Sequence, residues 1–144
     1  MPVALAWLGV SVVGLCGALA AVLELLLVPL YVGQVLVPIA VVLALVSNVA
    51  LPRMALRLVP RTGAAAIPFV TWLAVVVGFG VLARPEGDVI LPGGTGWLPW
   101  VSYGVMFGGA FVGIITVVTS TATQAGGRPR PERPAAPTDQ GAVR

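Results

Sequence analysis

Apolar residues run almost unbroken from position 2 to position 51, and Glu24 is the single charge among them. A surface helix of a soluble protein pairs an apolar stripe with a polar face, and this stretch has no polar face. It reads as two membrane-spanning helices folded back on each other. Along the whole chain the pattern predicts four spans, at about 3–27, 35–51, 62–82 and 97–119. Each is about 17 to 25 residues long, enough at ~1.5 Å per residue to cross a hydrocarbon core of roughly 30 Å.

Punctuation along the chain supports these limits. Pro29, Tyr31, Gly33 and Gln34 make the first turn, since Pro and Gly break local structure most strongly. Pro38 falls in the first turn of span two, where a missing N–H costs little. Pro52 is expected to end that span, because the residue before a proline is pushed out of the helical region. A short piece, 52–60, carries Arg53 and Arg57 and is followed by Arg61; the four-residue spacing would align the three on one face if the piece is helical. Residues 83–96 form a turn-rich loop with Arg84, Glu86 and Asp88. A local arginine–acid pair is expected there, two acids being too few for a calcium cage of about six to eight oxygens.

After Ser120 the texture changes to Thr, Gln, Gly, Pro, Ala and Arg. Such a segment cannot bury enough surface to offset its ordering entropy. The expected fold is therefore an all-α integral membrane protein, a four-transmembrane-helix bundle over 1–120 with a disordered, Pro/Arg-rich cytoplasmic tail over 121–144. A PxxP match at 131–134 arises readily in any Pro-rich stretch. It adds no specific partner.

Composition agrees. Of 144 residues, 58% are hydrophobic and 9% charged, against about 25% charged in ordinary soluble domains. The N-terminal run is read as a retained helix: it lacks a basic leader, is longer than a signal h-region, and Cys16 follows Gly14-Leu15, a poor lipoprotein box.

Arginine placement sets the orientation. All eight basic residues are Arg; Arg53, Arg57, Arg61, Arg128, Arg130, Arg133 and Arg144 fall on one side of a four-span chain, and Arg84 alone on the other. Short arginine-rich loops stay cytoplasmic, so the protein is expected in the plasma membrane with both termini cytoplasmic. Trp97, Trp100, Tyr103 and Tyr31 then cluster at the outer interface and Trp7 lies toward the inner one.

Glu24 is the first candidate for chemistry, because ionisable groups within spans are expensive and often functional. It lies nine residues past the middle of span one, roughly 13 Å from the midplane. A Glu24–Gln34 hydrogen bond pinning the hairpin is one reading; a proton- or cation-coupled site is the other. Ser47 and Asn48 in span two are expected to make interhelical polar contacts, with Ser11 near Ser47 in depth. Gly104 with Gly108, and Gly109 with Gly113, form small-x-x-x-small patterns for close helix packing within the bundle or, alternatively, in a homodimer. Arg53, Arg57 and Arg61 serve as inner anchors and as contacts for anionic lipid.

Catalytic residues are not expected. The chain has no His, no nucleophile–base pairing and no phosphate loop, so neither enzyme activity nor a cofactor is predicted. With Cys16 its only cysteine, no thiolate metal site is predicted either. The alkaline pI comes from a few placed arginines and does not point to nucleic acid.

Four spans, a glutamate in the first and a glycine motif in the last resemble the small multidrug-resistance exporters, which carry that glutamate at mid-helix and have short tails. The run Ala83-Arg-Pro-Glu-Gly-Asp88, followed by Trp100-Val-Ser-Tyr-Gly104, is similar to uncharacterised four-span membrane proteins of high-GC actinobacteria. That second resemblance covers about 1–120 and implies topology and lineage, with no residue role. The expected function is a scaffold or accessory subunit that packs through its glycine faces against itself or a larger membrane complex. The alternative is a small proton-coupled transporter using Glu24.

Overall fold

A computed structural model describes residues 2–81 and 96–126. Helix α1, Val3–Leu27, is followed by a small antiparallel hairpin of β1, Tyr31–Val32, and β2, Val35–Leu36. Gly33 sits at its tip with φ 65, a left-handed conformation that glycine adopts without strain. Helix α2, Ile39–Leu58, returns through the bundle, and a three-residue turn leads into α3, Thr62–Val75, which continues as a π-helical segment, Val76–Val81. The last span joins α4, Leu98–Tyr103, a π-helical segment, Gly104–Gly108, and α5, Gly109–Gly126. Four of these rods are long and apolar enough to cross a membrane: Val3–Leu27, Ile39–Leu58, Thr62–Gly80 and Leu98–Thr123. The protein is a four-span helical bundle, with lipid contact along all four rods.

The second span is displaced from its expected limits. Val35 and Leu36 pair as strand, so the helix starts at Ile39, with Pro38 at its cap. Pro52 does not end α2; it is buried inside the helix, which runs on to Leu58. Proline removes one i→i−4 bond and leaves the carbonyl of Asn48 without its helical donor. Membrane helices tolerate that where neighbouring groups enclose the site. Arg53 and Arg57 do share a helix face, but Arg61 follows an extended Val59 and caps α3 with φ −135, which takes it out of the row. The expected outer loop and C-terminal tail lie largely outside the described residues.

The bundle is inside-out relative to a soluble protein. Its interior is mostly small: Ala21, Ala40, Ala44, Val28, Val76, Val101 and Val105 surround Trp72, while Val10, Val13, Ala55, Val59 and Ala64 form a second cluster. Leu8, Leu15, Leu19, Phe107 and Phe111 point outward. Between helices in lipid there is little hydrophobic gain, so close approach of backbones and a few interhelical hydrogen bonds hold the bundle. Gly17 faces the Pro68 carbonyl of α3 directly, and beside it Thr71 Oγ1 donates to the Gly14 carbonyl at 2.8 Å. Most other hydroxyls, such as Ser11 on Trp7 and Thr116 on Val112, satisfy themselves on their own helix.

Candidate functional site

Helical side chains lean toward the N-terminus of their helix. For Glu24 near the C-terminal end of α1, that lean carries the carboxyl back toward the middle of the bundle. There it is 1% exposed. Ser47 Oγ donates to Oε1 at 2.7 Å, and Trp72 Nε1 donates to Oε2 at 2.6 Å. Ser47 is eight residues into α2 and Trp72 ten into α3, so both stand about 12–15 Å along their rods. The carboxyl therefore lies level with the middle of two spans, although its Cα is off-centre in the first. One side chain ties three helices together.

The indole that completes this clasp is fitted from below. A Cβ at Gly109 would come within 2.6 Å of Trp72 Cη2, so only glycine admits the ring at that point on α5. One turn further, a Cβ at Gly113 would overlap Phe69, whose ring stacks on Trp72 at 6.4 Å between centroids and 16° between planes. Gly104 and Gly108 pack instead against Val41 and Leu45 of α2. All four glycines of the last span are thus used inside the bundle. Within the chain, α2 and α3 supply the neighbours of these faces.

Asn48 neighbours the clasp but does not join it. Its Nδ2 donates to the Ala44 carbonyl of its own helix at 2.9 Å, and its buried Oδ1 has no hydrogen-bond partner. A Cβ at Gly113 would lie 3.1 Å from Oδ1, so the α5 backbone comes close to it.

Other expectations are corrected here. Gln34 is exposed at the hairpin tip and does not reach Glu24, whose oxygens are taken by Ser47 and Trp72. Ser47 bonds Glu24, and Ser11 turns back on Trp7, because the strand hairpin moves the apex of the turn to Gly33 and Gln34. Arg53, Arg57 and Arg61 are exposed at the α2–α3 end. Among the described residues no group of three or more metal-type ligands occurs.

Trp72, Phe69 and Thr71 escaped the sequence reading. A usable signal existed for the first: tryptophan favours membrane interfaces, so one placed in mid-span needs an acceptor for its N–H. No protein-family model, curated protein or solved structure matches this chain.

Proposed function

We propose that this multi-pass protein acts as a scaffold or accessory subunit of the plasma membrane, with Glu24 as an internal clasp and no catalytic step. The observation that supports this reading is the complete engagement of the Glu24 carboxyl. Both its oxygens hold side chains of other spans, and the group is almost wholly enclosed. With the glycine faces filled from within, any partner would meet the larger exposed side chains of α1 and of the last span.

A second reading, proton coupling at Glu24, draws support from one further contact. Ser47 Oγ lies 3.2 Å from the Ala44 carbonyl as well as 2.7 Å from Glu24. A hydroxyl has one hydrogen to donate. Facing a carboxylate it donates to Oε1; facing a protonated acid it can accept from Glu24 and turn its hydrogen to Ala44. Trp72 donates in either case, so both charge states find partners without backbone movement.

Glu24→Gln separates the two, since an amide can still accept from Trp72 and donate to Ser47. In proteoliposomes under an imposed pH gradient, the scaffold reading expects equal proton leak from wild type and variant, with the same co-purifying partners. Proton flux in the wild type that disappears in the variant would select transport instead.

The proposed orientation rests on the seven-to-one arginine split. In a Cys16→Ser background, Arg57→Cys should react with an impermeant maleimide only after cells are permeabilised. Labelling of intact cells would reverse the topology.

A further inference from the structure

We propose that the groove between α2 and α5 is a binding site for one acyl chain of an anionic phospholipid, with the lipid phosphate held by Arg53. The groove measures about 470 Å³ and is lined by Leu45, Val46, Val49, Ala50 and Val112, with Arg53 as its one charged group. That volume falls within the roughly 300–1,000 Å³ of small-molecule sites. The α2 residues recur at steps of one and three, so they lie along one helix face.

Its length suits a lipid tail. Eight residues separate Leu45 from Arg53, about 12 Å of helix. A single leaflet contributes about half of a ~30 Å hydrocarbon core. The groove therefore covers most of one leaflet's depth and ends at a guanidinium, the geometry of one tail below one headgroup.

Packing explains why the groove opens here. Toward the hairpin end, Gly104 and Gly108 let the last span press against Val41 and Leu45. Further along, Gly109 and Gly113 are turned toward Trp72 and Phe69 of α3, with Ala44 and Asn48 of α2 beside them, so neither faces Val46, Val49 or Ala50. Val49 and Val112 line the groove from the two helices.

Charge selects the occupant. Arg53 is exposed and forms no ion pair among the described residues. A guanidinium presents a planar fork of donors that matches phosphate oxygens. A zwitterionic lipid brings its own ammonium to compete for that phosphate, whereas an anionic headgroup does not. Arg57, one turn further along α2, adds a second positive charge outside the groove.

Native mass spectrometry of the full chain in mild detergent, titrated with dioleoylphosphatidylglycerol or dioleoylphosphatidylcholine, tests the site. Wild type should bind the first phosphatidylglycerol more tightly than the first phosphatidylcholine. Arg53→Gln should reduce that preference about fivefold, the weight of one basic side chain at an anionic surface, with a smaller loss for Arg57→Gln and none for Arg61→Gln. Val49→Phe, which fills the groove, should weaken both lipids alike. Equal losses from all three arginine variants would show a diffuse surface field in place of a site. An unchanged preference in Arg53→Gln, or unchanged binding of both lipids in Val49→Phe, would equally overturn the proposal.

Discussion

Trp72→Ala should destabilise the bundle more than any other single side-chain truncation. In soluble cores, truncating a buried tryptophan costs about 3–5 kcal/mol through lost transfer energy and a residual cavity. In lipid the transfer part shrinks, because acyl tails are as apolar as the core. The cavity remains, bounded by Gly109 of α5 and the Phe69 ring. So does the second penalty: Glu24 Oε2 loses its donor inside an enclosed site, at about 1–3 kcal/mol for an unsatisfied buried group. The expected sum is about 3 kcal/mol or more, read as a lower midpoint of detergent-induced unfolding. Trp72→Phe retains a six-membered ring but also removes the donor to Oε2, so it should lose less than Trp72→Ala while keeping the penalty of the unsatisfied oxygen. A Trp72→Ala protein as stable as wild type would mean that the indole does not occupy this position.

Gly17→Ala is expected to be the most damaging addition of a single methyl group. The new Cβ would stand 2.5 Å from the Pro68 carbonyl oxygen and 3.1 Å from Thr71 Oγ1. Backbone cannot rotate away as a side chain can, so α1 and α3 must separate. Separation also breaks the 2.8 Å bond from Thr71 to the Gly14 carbonyl. Overpacking costs typically about 1–3 kcal/mol and occasionally more; the upper end is expected here. Gly14→Ala meets the Ile67 Cγ2 methyl at 2.8 Å, a side-chain atom with somewhere to go, and should cost less. Gly78 has nothing within 4 Å of its Cβ position, so Gly78→Ala should be neutral. The order Gly17, Gly14, Gly78 is the prediction, and equal effects at Gly17 and Gly78 would contradict the α1–α3 packing.

The number of spans and their approximate places were legible because each rests on a long apolar run, a signal that local sequence carries by itself. Boundaries were less legible where a local rule met a tertiary one. Pro52 is a stop signal by its backbone chemistry, yet α2 passes through it with the ring buried. Gly104, Gly108, Gly109 and Gly113 were recognisable as packing residues, but periodicity cannot say which neighbour approaches. Two of them receive α2 side chains and two receive aromatic rings of α3.

Glu24 shows the division most clearly. Its importance was visible from charge alone; its partners were not. Cα depth counted from the hairpin pairs it with Gln34, whereas the inward lean of a long side chain and the strand hairpin beyond Val28 bring Ser47 instead. Trp72 comes from a helix whose rotation about its own axis no local pattern specifies.

The central claim is that the Glu24 carboxyl and the Trp72 indole hold separate spans together inside the bilayer. A double-mutant cycle between Glu24→Ala and Trp72→Phe, measured as unfolding free energies in bilayer-mimetic micelles, addresses that contact alone. Coupling of about 0.6–2 kcal/mol is predicted, at or above the ~0.6 kcal/mol average for interhelical hydrogen bonds in membranes. Strict additivity of the two substitutions would contradict it.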